Sequence, residues 1–336
     1  MPVAPSCSPS LVTGPRLKEH SLQVYLGAAK GYMRNGLAAS TLRSYDFAWR
    51  SYAMFCSSLS VPLFPLCVNV VCAFVCHCTD VRHFQTCYIK GLVAGIQFNA
   101  RCLDPSFPSL LSNPAIKLLF KGIGKAFPPK VDDRLPFTLS VLHAMLSVLR
   151  RGYFSRYIDS LLDCSLLLAF YGFLRCGEFT TRANAFNPTS DVCFSDLTFH
   201  PEFFNLFLRH SKSGGSCFVV IARTGGPFCP FSSMLRYVKM RASSDPLSPL
   251  FITPANKPMS QSWFSHHLAQ VVSKCNLPPG RYSGHSFRIG AATSAAVQGL
   301  STATLQQLGR WSSSAYSSSV RPDAASIIKA QRSLRP

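Results

Sequence analysis

Nearly every apolar run in this chain repeats at helical spacing, and one stretch in the second half does not. Over 192–200 and 203–209 apolar and polar residues alternate, His210-Ser211-Lys212-Ser213-Gly214-Gly215 has the composition of a tight turn, and 217–222 alternates again. A period of two sends successive side chains to opposite faces, so these residues cannot share a helix with one buried side. The expected fold is therefore mostly α, with a small antiparallel β-sheet inserted in a second, otherwise helical domain.

Ahead of the sheet, one helix is predicted over 22–33. A second, capped by Ser40-Thr41, carries Tyr45, Trp49, Tyr52 and Phe55 at helical spacing. Two more cover 68–78 and 88–99, and a fifth covers 115–125, where Asn113-Pro114 supplies a cap and a first-turn proline. Residues 127–136 set prolines around a charged centre with no period, the mark of a linker. The expected organisation is a loose Pro/Ser-rich N-terminus at 1–16, a helical domain at 17–126, that linker, and a mixed domain at 137–336. In the last, helices are predicted over 139–149, 158–173, 230–241 and 260–274, and 158–173 is apolar nearly all round, hence buried.

Composition narrows the partners. The chain has 34 Lys and Arg against 14 Asp and Glu, a formal charge of +20, and its 47% hydrophobic content excludes a disordered tail. A folded surface so poor in carboxylates attracts polyanions, nucleic acid first among them. Arg43, Arg50, Lys117, Lys121 and Lys125 are the candidate phosphate contacts of the first domain, with ordinary solvated side chains as the alternative. No apolar run reaches the roughly 18 residues of a membrane-spanning helix, and no membrane partner is expected.

The 14 cysteines are scattered, and Met1-Pro2-Val3-Ala4-Pro5-Ser6-Cys7 lacks the apolar core of a secretory leader. An intracellular protein is expected, nuclear if its source is eukaryotic and cytoplasmic otherwise. Cys72, Cys76, His77, Cys78, His83 and Cys87 are metal-ligating types, but Cys72 and Cys76 lie one turn apart among Val70, Val71, Phe74 and Val75. They read as packed small hydrophobes rather than zinc ligands, so neither metal nor cofactor is expected.

The chemistry-bearing residues lie in the second half. In Gly284-His285-Ser286-Phe287-Arg288-Ile289-Gly290-Ala291-Ala292-Thr293, His285 and Arg288 leave a helix as neighbours on one face. A base beside a fixed cation suits a phosphate. The buried helix before the sheet ends in Gly172-Phe173-Leu174-Arg175-Cys176-Gly177-Glu178, delivering Arg175 to the base of a cleft with Glu178 three residues on. That pair alone would be an ordinary salt bridge. Lys212, at the hairpin tip, is a flexible ammonium able to reach into a groove.

In order, Arg175, Lys212, His285-x-x-Arg288 and Trp311 resemble one family, the tyrosine recombinases of phage-integrase type. Leu-Arg-Cys-Gly-Glu at 174–178, Ser-Lys-Ser at 211–213, the segment at 284–293 and Leu-Gly-Arg-Trp-Ser-Ser at 308–313 are most similar to recombinases of eukaryotic DIRS-like and Crypton-like mobile elements. The resemblance spans roughly 20–322. It implies a helical core-binding domain and an α+β catalytic domain clamped about duplex DNA, and strands cut and rejoined through a 3′-phosphotyrosyl link without metal or ATP. It further implies that Arg175 and Arg288 hold the scissile phosphate, His285 acts as general base and donor, Lys212 protonates the departing 5′ oxygen, Trp311 donates its indole N–H, and Glu178 orients Arg175. A homo-tetramer on paired DNA sites, joined through 323–336, is implied as well.

The tail departs from that pattern. In the similar recombinases it runs Trp-Ser-Ser-x-Ala-Tyr-x-x-Tyr-Ile-Arg, and the second tyrosine attacks. Here Trp311-Ser312-Ser313-Ser314-Ala315-Tyr316-Ser317-Ser318-Ser319-Val320-Arg321 puts Ser319 at that position and keeps Tyr316 three residues earlier. Three readings stay open: cleavage lost at Ser319, Tyr316 recruited, or Ser319 attacking. Two functions follow, a site-specific recombinase or integrase of a mobile element, or a catalytically inactive DNA-binding clamp of the same fold.

Overall fold

A computed structural model describes residues 22–128, 132–182, 185–210 and 215–321. The chain divides into two compact units, Met1–Val131 and Asp132–Pro336.

The first unit is helical: α1 (Leu22–Asn35), α2 (Ala39–Ser58), α3 (Val68–Cys76), α4 (Thr86–Leu103) and α5 (Pro114–Ala126). Its core gathers Tyr52, Val71, Phe74, Ile89, Val93, Ile96, Ile116 and Phe120. Helices α2 and α4 approach so closely that a Cβ on Gly95 would lie 2.8 Å from the Ala48 Cβ, and Asn99 Nδ2 donates to the Tyr45 carbonyl across the pair at 3.1 Å. The predicted cap of α2 is corrected. Ala38 is the N-cap, and Ser40 and Thr41 lie inside the first turn, with the Thr41 and Leu42 N–H groups on the Ala38 carbonyl. The hydroxyls are placed too late to serve the first free N–H groups. The predicted 68–78 helix stops at Cys76 and widens into a π-helical turn, His77–Val81, where the Thr79 hydroxyl donates to the Val75 carbonyl at 2.9 Å, four residues back. Among the described residues, no group of three or more His, Cys, Asp and Glu side chains could hold a metal ion.

The second unit begins with α6 (Leu139–Arg150) and α7 (Arg156–Tyr171), capped by Thr138 and Ser155. Helix α7 is buried, and its two acids are satisfied inside. Asp163 pairs with Arg150 and Arg236, while the Phe154 N–H donates to Asp159. Left unpaired, a carboxylate there would cost several kcal/mol. The short α8 (Cys176–Phe179) precedes an antiparallel sheet of β1 (Leu197–Phe199), β2 (Phe203–Leu208) and β3 (Cys217–Ala222), in that spatial order, with Leu206 opposite both Leu197 and Val219. The predicted 192–200 strand is corrected to three residues. Asp196 draws the Cys193 N–H into a 3-10 turn, Phe194–Asp196, and the Phe194 and Ser195 N–H groups bond to the Ser248 and Pro246 carbonyls instead of to β2.

Helices α9 (Pro230–Met240), α10 (Gln261–Lys274), α11 (Gly284–Val297) and α12 (Thr302–Gly309) complete the unit, followed by a 3-10 turn at Ser314–Ser319. Helix α11 is seated through its glycines: a Cβ on Gly290 would fall 1.9 Å from the Phe137 carbonyl oxygen, and one on Gly284 2.8 Å from the Cys176 Cβ. Residues 132–137 lie along its start, with the Phe137 N–H on the Ser286 carbonyl and Arg321 Nη2 on the Asp132 carboxylate at 2.6 Å. Among the described residues, no helix is long and apolar enough to cross a membrane.

Candidate active site: two arginines on one carboxylate and a third beside them

The site is built where α7 ends. Gly172 has no room for a side chain, a Cβ there falling 2.8 Å from the Leu168 carbonyl oxygen, and Phe173 turns the chain through a left-handed conformation at φ 50°. A bulky aromatic held there costs on the order of 1–3 kcal/mol. The turn makes Arg175 the N-cap of α8. Its backbone N–H donates to Glu178 Oε2 and its Nη1 to Oε1, both at 2.9 Å.

Glu178 serves a second cation. Arg310 Nη2 donates to Oε2 at 2.9 Å, while Arg310 Nη1 donates to the Gly172 carbonyl at 2.9 Å. Arg310 is itself left-handed, at φ 55°, where α12 ends. Arg288, delivered by α11, is 1% exposed. Its Nη1 donates to the Phe173 carbonyl at 2.7 Å and its Nη2 to the Gly309 carbonyl, and its guanidinium lies 4.2 Å from the centre of the Trp311 ring. Gly309 is required beneath that ring, for an added Cβ would sit 1.6 Å from an indole carbon. Phe173 meets Trp311 edge-on at 6.2 Å.

Three guanidiniums against one carboxylate leave two positive charges in a low-dielectric pocket. Burial first, and then Arg175 and Arg310, pull the Arg288 guanidinium down to about 9, with Glu178 opposing. His285 is partly buried one turn before Arg288. Burial, Arg134 and Arg288 hold it below the usual imidazole value, so it is neutral near pH 7. An uncompensated cationic pocket beside a neutral base can take an anion and accept a proton. A purely structural ion pair needs neither the second nor the third arginine.

Tyr316 and Ser319 fall in the Ser314–Ser319 turn, which Ser313 caps through the Ala315 N–H. In a 3-10 helix residues three apart eclipse, so the two side chains leave one face, separated along the axis by about 6 Å. The Tyr316 ring is partly exposed, 6.3 Å from that of Trp311. Ser319 is buried, with its carbonyl accepting from Thr293 Oγ1 of α11 at 3.5 Å.

The structure thus gathers Arg175, Glu178, His285, Arg288 and Trp311 into one cluster and sets Tyr316 against Trp311. Lys212 lies outside the described residues; β2 ends at Leu208 and β3 begins at Cys217, and these two residues pair. Arg43 and Arg50 on α2 and Lys117, Lys121 and Lys125 on α5 are exposed in the first unit, the lysines at four-residue spacing. Sequence reasoning quoted Arg310 in its motif and gave it no role. The available signal was charge balance, since Glu178 is the only acid in the segments 174–178, 284–293 and 308–313.

No family model and no curated protein matches this chain. Solved structures do. The Tn1549 transposon integrase in complex with circular intermediate DNA aligns over 92% of this chain and 98% of its own, at 14% identity and a TM-score of 0.61. The XerH site-specific recombinase bound to palindromic difH substrate aligns over 79% and 69%, at 10% identity and 0.57. The lambda integrase bound to DNA aligns over 88% and 95%, at 12% identity and 0.56. At such identities the likeness is one of fold, and the α-rich chain with its three-stranded sheet has the two-domain fold of the tyrosine recombinases.

Proposed function

We propose that this protein binds duplex DNA and exchanges its strands as a site-specific tyrosine recombinase of a mobile element, of the DIRS-like or Crypton-like kind. The observation that carries the reading is the net positive cluster of Arg175 and Arg310 paired to Glu178 with Arg288 beside them, next to a neutral His285. The formal charge of +20, and neighbours of the same fold whose structures contain DNA, support the partner.

In this reading Arg175, still partly exposed, holds the non-bridging oxygens of one phosphodiester, and Arg288, whose two terminal nitrogens are taken by the Phe173 and Gly309 carbonyls, adds the positive charge that stabilises the transition state. His285 accepts the proton of the attacking hydroxyl and Lys212 supplies one to the departing 5′ oxygen. Trp311 donates its indole N–H to the phosphate. One P–O bond forms to the protein as the P–O5′ bond breaks, leaving a 3′-phosphoryl protein and a free 5′ hydroxyl. Attack by another 5′ hydroxyl reverses the step, so bond energy is conserved. Tyr316 is the attacking residue, because it is partly exposed against Trp311 whereas Ser319 is buried against α11. Assembly as a tetramer on paired sites, and action in the nucleus of a eukaryotic source, belong to the same proposal.

A second reading has its own observation. The position where the similar recombinases carry their nucleophile is a buried serine, as in a DNA-binding clamp that no longer cuts. The test is to select duplexes from a randomised pool, nick them, and capture adducts that survive denaturant. A nucleotide-bearing peptide containing Tyr316 supports the recombinase. No adduct from the native chain, with a clear one from Ser319→Tyr, supports the clamp. Failure to select any duplex would falsify both.

A further inference from the structure

We propose that Arg310 is a positioning residue that locks the Arg175 turn to the segment bearing Trp311. The assignment rests on reading the pocket as a phosphodiester site. Arg310 has a fixed fork: Nη1 donates to the Gly172 carbonyl at 2.9 Å, and Nη2 to Glu178 Oε2 at 2.9 Å and to the Phe173 carbonyl at 3.4 Å. These acceptors bracket the turn that aims Arg175. Both donating nitrogens are thus turned toward protein acceptors, and Nε is buried without an acceptor. Arg310 therefore acts through its neighbours. Glu178 Oε2 takes the Arg175 backbone N–H as well as Arg310, and Oε1 takes Arg175 Nη1, so one carboxylate joins two parts of the chain 132 residues apart. Without Arg310, Glu178 keeps its two bonds to Arg175, but the pair loses its tie to the Trp311 segment and the Gly172 carbonyl loses its donor, so the direction of Arg175 relative to that segment is no longer fixed.

The geometry matters as much as the charge. A lysine keeps the cation but cannot reach a carbonyl and a carboxylate at once from one planar group. The left-handed backbone at Arg310, φ 55°, places the fork beneath the turn while Trp311, the next residue, stacks over Arg288. One strained residue thus sets two partners of the pocket.

The test measures affinity for a duplex selected from the randomised pool, at one fixed salt concentration, with thermal unfolding followed in parallel. Arg310→Ala and Arg310→Lys are each expected to lose about tenfold in affinity. In an Arg175→Ala background the same changes are expected to cost no more than about twofold, because the route through Arg175 is already gone. Rescue by Arg310→Lys, or a full loss in both backgrounds, overturns positioning in favour of a charge or an independent contact. Should Arg310→Ala not fold, the lysine variant alone decides between these outcomes. A native chain that selects no duplex overturns the phosphodiester reading itself, and this assignment with it.

Discussion

The cations of the two units are held in opposite ways. In the first, Arg43, Arg50, Lys117, Lys121 and Lys125 stand exposed on α2 and α5, where each contributes little to stability and adds to a diffuse positive field. In the second, Arg175 and Arg310 share the Glu178 carboxylate and Arg288 is held by two carbonyls, so the cations exceed the charge that neutralises them. Exposed cations supply long-range attraction that salt screens. Buried ones supply direction, and the fold carries their cost.

The largest break in this contrast is expected from Gly290→Ala, which drives a methyl into the Phe137 carbonyl and unseats the helix that carries Arg288. A loss of about 3 kcal/mol or more in denaturant unfolding is predicted, and a neutral outcome would show that α11 has room to shift. Next comes Arg288→Ala. It leaves the Gly309 carbonyl without its donor but relieves repulsion from Arg175 and Arg310, so the net loss is about 2 kcal/mol. A gain in stability would mean that repulsion outweighs the hydrogen bonds.

Replacing Lys117, Lys121 and Lys125 together by alanine tests the other side. Stability should stay within about 0.5 kcal/mol, while the slope of log affinity for duplex DNA against log salt falls by about 3 if all three meet phosphates. A large change in unfolding with an unchanged slope would erase the contrast.

The smallest effect is that of pH on His285. Its folded value lies below the ordinary 6.5, because burial and the neighbouring guanidiniums disfavour the imidazolium. The unfolded chain therefore takes up its proton first, and stability falls as pH drops through about 6.5 until the folded form also titrates. His285→Gln should flatten that part of the curve, and an identical curve would place the dependence elsewhere.

Much of this was legible beforehand because local patterns carry it. Asn113 caps α5 through the Ala115 and Ile116 N–H groups, as a capping asparagine before a proline predicts, and 217–222 forms a strand from its alternation. Two of the elements that differ from the sequence pattern are places where a side chain takes a backbone group. Asp196 pulls Cys193 out of the sheet and Thr79 widens α3 beyond Cys76, and neither hydroxyl nor carboxylate announces in one dimension which N–H or carbonyl it will take.

The candidate site divides likewise. The order of Arg175, His285, Arg288 and Trp311, the serine at 319 and the excess of positive charge are properties of the sequence alone. That Glu178 belongs to Arg310 as much as to Arg175, that Arg288 is closed over by two carbonyls, and that Ser319 is buried while Tyr316 faces Trp311 were decided only by tertiary structure. Composition counts charges, whereas a hydrogen bond is settled within a few tenths of an ångström, and only the packing of α7, α11 and α12 fixes distances that finely.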